Sequence, residues 1–176
     1  MPLLTFGHGK LDQSELSTLI SNARIARVVD VRRFPGSRAN AAASRDNVRA
    51  LMTTLGGDYF WEERLGGRRK LRKEESAQSP DTWWRVEAFR AYASWTRTED
   101  FETAMRQLIT DAASTRTAVM CAESVWWRCH RRLIADVAVL VHEVPVQHLM
   151  HSGKTYDHVP SEGAEMSSAG QVVWDR

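Results

Sequence analysis

The run 117-TAVMCAESVWWRCHRRLIADVAVL-140 changes character twice. Ala118-Val119-Met120-Cys121 is a short apolar stretch after the polar Thr115-Arg116-Thr117, the pattern of a buried strand. From Cys129-His130-Arg131-Arg132 onward, Leu133, Ile134, Val137, Ala138 and Leu140-Val141 recur at helical spacing. The connection between them carries Glu123, Ser124, Trp126, Trp127 and Arg128. A turn from the C-terminal end of a strand into a helix is where open α/β sheets hold ligands. Free backbone N–H groups and the helix dipole favour an anion there.

Working outward, the same alternation repeats. Leu3-Leu4-Thr5-Phe6 and the turn Gly7-His8-Gly9 read as a first strand. Asp12 or Ser14 can cap a helix burying Leu16, Leu19, Ile20 and Ala23. Ile25 to Val31 reads as a second strand, making a right-handed βαβ unit and a locally parallel sheet. A helix from about Ser44 buries Val48, Leu51, Met52 and Leu55, and Asp58–Trp61 is a brief third strand. Glu62 to Lys73 is a glycine-broken basic loop, and residues 74–82 read as a surface insertion free to move. Helices follow over Trp84–Trp95 and, capped by Thr98, through Phe101, Ala104, Met105 and Leu108. His142–Leu149 is a last strand whose proline suits an edge. The expected fold is α/β: a single Rossmann-like three-layer domain over residues 1–151, with a mostly parallel sheet of about five strands and helices on both faces. The polar segment 152–176 is expected to run extended or partly disordered.

Composition narrows the class. The chain has 176 residues, 43% hydrophobic and 26% charged, enough for one buried core. A net charge of +2 argues against binding nucleic acid by bulk charge, so the clustering of arginines matters more. Two cysteines outside any disulfide pattern favour a reducing, cytoplasmic setting. No secretory signal and no apolar run of membrane-spanning length is visible. Seven tryptophans are unusual, and six of them fall between residues 61 and 127.

In a parallel sheet the loops after Phe6, Val31, Trp61 and Cys121 leave by one edge. They would bring together His8, Asp30, Glu123, Cys129 and His130 as candidate catalytic groups. Arg32, Arg33, Ser37, Arg38, Arg68, Arg69, Arg128 and Arg131 would be candidate phosphate ligands. Any one arginine at a loop end is more simply a solvated ion pair, but their coincidence on three loops favours an anion site. Trp126-Trp127 beside arginine is a candidate stacking platform, against the plainer reading of loop packing. Asp30 and Glu123 can activate water or anchor arginines. Cys129, near a helix start with arginines and His130, has the surroundings of a low-pKa thiolate. Cys121 at a strand end is more often a small buried residue. A Cys-x5-Arg oxyanion loop is not met, since Trp127 takes the arginine's place and Arg128 comes one residue late. Zinc is a weak signal: Cys121, Cys129 and His130 lack a CxxC, and only His8 offers itself as a fourth ligand, so no cofactor or metal is expected.

The blocks TFGHGKLDQSELSTLI, VVDVRRFPGSRAN, ERLGGRRK, EAFRAYASW and VMCAESVWWRCHRRLIAD resemble, in order and spacing, the bacterial domain-of-unknown-function family 488 over about Thr5–Leu149. The resemblance implies a compact Rossmann-like fold. It carries the family's motif positions onto His8, Asp30, Arg32, Arg33, Pro35, Ser37, Arg68, Cys121, Glu123, Cys129, His130 and Arg131. Phe6-Gly7-His8-Gly9 stands where many relatives have T-I-G-H-S, so one hydroxyl is lost. Members are uncharacterised or loosely labelled DNA-repair related. The leading expectation is a nucleic-acid- or nucleotide-binding protein with DNA as partner, and a hydrolase acting on a base in the manner of a repair glycosylase. The alternatives are a thiol-dependent enzyme on a small anionic substrate, and a non-catalytic nucleic-acid- or protein-binding module.

Overall fold

The computed structural model describes residues 1–36 and 39–175. Five parallel strands form the sheet: β1 (Leu3–Gly7), β2 (Arg27–Asp30), β3 (Asp58–Trp61), β4 (Thr117–Cys121) and β5 (Val146–Leu149). A sixth, β6 (Thr155–Asp157), pairs antiparallel with β5, and the spatial order is β3-β2-β4-β1-β5-β6. The strand read as buried lies inside the sheet: β4 is between β1 and β2, parallel to both. Its residues are buried along its whole length, which is why it reads as a continuous apolar run rather than an alternation.

Helices cover both faces. On one, α1 (Gln13–Asn22) and α2 (Arg45–Thr54) pack Leu16, Ile20, Val48 and Met52 against Leu4, Phe6, Val28 and Met120. On the other, α4 (Glu87–Trp95), α5 (Glu99–Ser114) and α6 (Arg131–Leu140) pack Tyr92, Phe101, Leu108, Leu133 and Ile134 against Leu3, Val29 and Val119. Neighbouring residues of one strand thus feed different cores, the period of two that pleating imposes. Helix starts follow the expected caps. Asp12 and Glu15 form a reciprocal capping box, Ser44 accepts from the N–H of Asn47, and Thr98 accepts from the N–H of Phe101. Among the described residues no helix is long and apolar enough to cross a membrane.

Three expectations need correction. The last strand is not an edge, because β6 covers it. Residues 74–82 include the short helix α3 (Lys73–Ala77), but the segment is anchored: Asp81 is fully buried and takes both terminal nitrogens of Arg97, at 2.9 and 2.6 Å. The segment from Ser152 is built into the domain. Beyond β6 it forms a hairpin of β7 (Ala164–Met166) and β8 (Val172–Trp174), and Trp174 is fully buried against the α6 side of the core. Helix α6 buries its polar side as well as its apolar stripe, and this segment is what covers it.

Candidate functional site

The site loops leave the sheet at the C-terminal ends of β1, β2, β3 and β4, and the first and last of these are knitted together. The N–H groups of His8 and Gly9 donate to the carbonyls of Cys121 and Ala122, each at 2.9 Å. Gly7 permits this: a Cβ there would lie 1.7 Å from the Glu123 carbonyl oxygen. That carbonyl also accepts from the guanidinium of Arg131.

Cys121, Cys129 and His130 converge at the base of the crevice, their sulfur and nitrogen ligand atoms all within 4.8 Å of one another. Nε2 of His130 donates to the Val31 carbonyl at 3.2 Å, which leaves Nδ1 bare and facing the sulfurs of Cys121 at 3.9 Å and Cys129 at 3.7 Å. Tyr92 packs its ring edge-on against the imidazole, centroids 4.9 Å apart, and is held by its hydroxyl on the Leu65 carbonyl at 2.6 Å. The backbone of Gly67 lies over the other side. Nε of Arg131 points at the Cys129 sulfur from 3.4 Å. Burial alone pushes the Cys129 thiol up, but its hydrogen bond from Cys121 and the guanidinium of Arg131 work against burial, and the thiol is held well below the usual range. Cys121 is held well above its usual value, first by its hydrogen bond to Cys129 and then by burial.

Beside this cluster is a buried ion pair. Both oxygens of Asp30 are fully engaged: Oδ1 accepts from the Arg32 N–H and Nε at 3.0 and 2.9 Å, Oδ2 from the Arg32 terminal nitrogen and the Tyr59 hydroxyl, each at 2.6 Å. Burial, then Asp30, raise the Tyr59 pKa and keep its hydroxyl a donor. The remaining Arg32 nitrogen donates to the Ala43 carbonyl at 2.7 Å and to Nε2 of His8 at 3.1 Å. His8 in turn donates from Nδ1 to its neighbour Gly9's carbonyl at 2.9 Å, and burial lowers its pKa, keeping it neutral. Asp30, Arg32 and His8 are therefore buried and bonded to one another beside the crevice, and Arg131 is buried against the Cys129 sulfur and the Glu123 carbonyl.

The groups that do face outward are different. A cavity of about 130 Å³ reaches Cys121 and His130 beneath Arg33, Phe34, Gly67 and Arg68. A wider groove of about 760 Å³, lined by Arg33, Phe34, Arg68, Arg69, Lys70 and Trp95 among others, shares three of those residues as walls. Arg33 and Arg68 place their guanidiniums 5.7 and 5.9 Å from the Phe34 ring, which is 63% exposed. Arg69 is mostly spent on the groove wall, donating to Gly66 and Glu63 carbonyls and lying 3.7 Å over Trp95. Ser37 and Arg38 lie outside the described residues.

Trp126 and Trp127 do not join this groove's lining. Trp126 stacks face to face on His148, centroids 4.0 Å apart, so its face is taken, while Trp127 is 47% exposed. Arg128 and Glu123 are exposed on the same loop. Sequence reasoning missed Phe34, whose only signal was an aromatic beside the Arg32-Arg33 pair and the Pro35 turn. It also missed a buried chain behind Trp126: Thr5 Oγ1 to His148 Nδ1 (2.7 Å), His148 Nε2 to His158 Nδ1 (2.9 Å), and His158 Nε2 to Asp136 Oδ1 (2.8 Å).

A three-layer α/β domain with a Cys/Cys/His cluster at the C-terminal ends of its strands is the class defined by this geometry. The chain belongs to the family described as Domain of unknown function DUF488, whose model matches residues 13–138. No curated protein and no solved structure matches it.

Proposed function

We propose that this protein is an enzyme that binds a phosphate-bearing ligand, a nucleotide or a nucleic-acid strand, in the arginine groove and presents its reacting group to the Cys121–Cys129–His130 cluster. The observation that carries this reading is that the two cavities share Arg33, Phe34 and Arg68 as walls. Arginine forks suit phosphate, and an exposed aromatic flanked by guanidiniums suits a base. Phosphates then rest on Arg33, Arg68 and Lys70, and a base lies against Phe34, with the cluster about one small group deep beneath them. This reading moves the phosphate contacts off Arg32 and Arg131, and the stacking off Trp126. It also moves the chemistry from the carboxylates to the thiols and imidazole, since Asp30 is saturated.

The test is binding of fluorescent mononucleotides and of single- and double-stranded DNA and RNA across a salt series, with iodoacetamide-treated protein in parallel. Binding that weakens steeply with salt, together with product formation abolished by alkylation, supports the reading. Absence of binding to all of these at low salt overturns it.

A further inference from the structure

The distances from the imidazole Nδ1 to the two sulfurs are those of a tetrahedral metal site, and the three ligand atoms all lie within 4.8 Å of one another. With metal–sulfur bonds of about 2.3 Å and metal–nitrogen bonds of about 2.0–2.1 Å, tetrahedral angles place sulfur and nitrogen about 3.6 Å apart. Here the separations are 3.7 and 3.9 Å. The imidazole is also prepared as a ligand should be: a backbone carbonyl, that of Val31, holds Nε2, fixing the tautomer and turning the bare Nδ1 to the sulfurs.

A second observation is independent of those distances. A Cβ on residue 67 would stand 2.8 Å from His130 Nδ1 and 3.1 and 3.2 Å from the ring carbons beside it, pressing on the face of the imidazole. Glycine at this position lets the ring keep its place between the Val31 carbonyl and the sulfurs, and Gly67 is buried with no need of left-handed backbone. The third observation is the open side. Cys121 and His130 both line the small cavity, so a cation between the three ligands has one face toward it.

We propose that Cys121, Cys129 and His130 bind one divalent cation of the zinc class, with the fourth coordination position open to the cavity for water or a donor atom of the substrate. Three protein ligands and an open position is the arrangement of catalytic rather than structural zinc sites. Two thiolates neutralise the cation's charge, and Arg131 beside the Cys129 sulfur restrains that sulfur's donation. His8, the fourth ligand suggested by the sequence, is engaged with Gly9 and Arg32 and is not part of the set. The inference concerns the cavity that the proposed function uses, but it does not depend on what the groove binds.

The test is elemental analysis of the full chain, purified with its thiols reduced and without chelator, followed by titration of chelator-stripped protein with Co²⁺. About one metal ion per chain is expected, with sulfur-to-cobalt charge-transfer absorption and the visible bands of a tetrahedral ion. Cys129→Ser and His130→Ala should each abolish tight binding, and Gly67→Ala should weaken it about 10–100-fold, as when the surroundings of a ligand are disturbed. No uptake of Co²⁺ or Zn²⁺ by the reduced wild-type chain overturns the proposal. So does uptake without charge-transfer absorption, which reads the unaltered protein and needs no variant to fold. Groove binding is measured separately on stripped protein. Metal uptake without groove binding overturns only the ligand reading, and groove binding without metal uptake overturns only this one.

Discussion

The indole N–H of Trp174 donates to Oδ2 of Asp136 at 2.8 Å, wholly inside the protein. The other oxygen of Asp136 accepts from the His158 ring and from the backbone N–H of Ser161, both at 2.8 Å. One carboxylate on α6 thus fastens three points of the segment after Ser152. Asp136→Ala strands all three donors in the interior, at about 1–3 kcal/mol for each group left unpaired. We expect a loss of about 3–5 kcal/mol in chemical denaturation and new protease cleavage confined to residues 150–175. Unchanged proteolysis would mean that packing of Trp174 alone holds the segment.

The same chain predicts a pH dependence. His148 is bonded to Thr5 and to His158 rather than to the carboxylate, so its charged form has no counter-ion in the chain. Burial first, and then His158, lower the His148 pKa to about 3 from the ordinary 6.5. The unfolded chain therefore takes up a proton below about pH 6.5 that the folded chain refuses, and stability falls as pH drops from there toward 3. The cost is up to about 1.4 kcal/mol for each pH unit. Denaturation midpoints at pH 7, 6, 5 and 4 should show this slope, and His148→Gln should flatten it.

Two arginines one position apart should behave in opposite ways. Arg32 is buried on Asp30, and removing one partner of such a pair costs about 3–5 kcal/mol. Arg32→Ala should lower the thermal midpoint sharply. Arg33→Ala, like Arg68→Ala, should change stability by less than about 0.5 kcal/mol. Each should reduce the slope of log affinity against log salt by about one for a nucleotide polyanion. Calorimetry and fluorescence anisotropy on the same preparations separate the two effects.

Gly7→Ala places a methyl group 1.7 Å from the Glu123 carbonyl oxygen, a backbone atom that cannot step aside without moving the site loop. Overpacking of this kind costs about 1–3 kcal/mol or more. We expect low soluble yield and loss of cobalt binding, whereas Gly36→Ala, with nothing within 4 Å, should be neutral. Equal yields of the two variants would show that the loop yields easily.

The apolar runs and helical stripes revealed the three layers because Leu4, Val28 and Met120 on one face and Leu3, Val29 and Val119 on the other follow the pleat. The Cys121–Cys129–His130 grouping was legible from the strand–loop–helix placement alone. The direction of each arginine was not. Arg32 and Arg33 are neighbours, and nothing local in the sequence says which one turns inward to a buried aspartate. Nor could the sequence reveal that residues 152–175 belong to the core. Their anchors are single residues, His158, Ser161 and Trp174, scattered through polar sequence and meaningful only once Asp136 faces them.

The placement of β1 has a consequence for how the protein is made. Both strands that flank it, β4 and β5, lie beyond residue 116, so β1 stays unpaired along both edges until more than a hundred further residues have been made. The backbone bonds that shape the thiol cluster, from His8 and Gly9 to Cys121 and Ala122, join the same distant regions. Such long-range closure is slow and leaves apolar edges open in the meantime. A nascent chain halted before Thr117 would leave both edges of β1 without a strand to pair with. The thiol cluster is therefore among the last features to assemble, although His8 and Gly9, whose bonds help shape it, are made long before it.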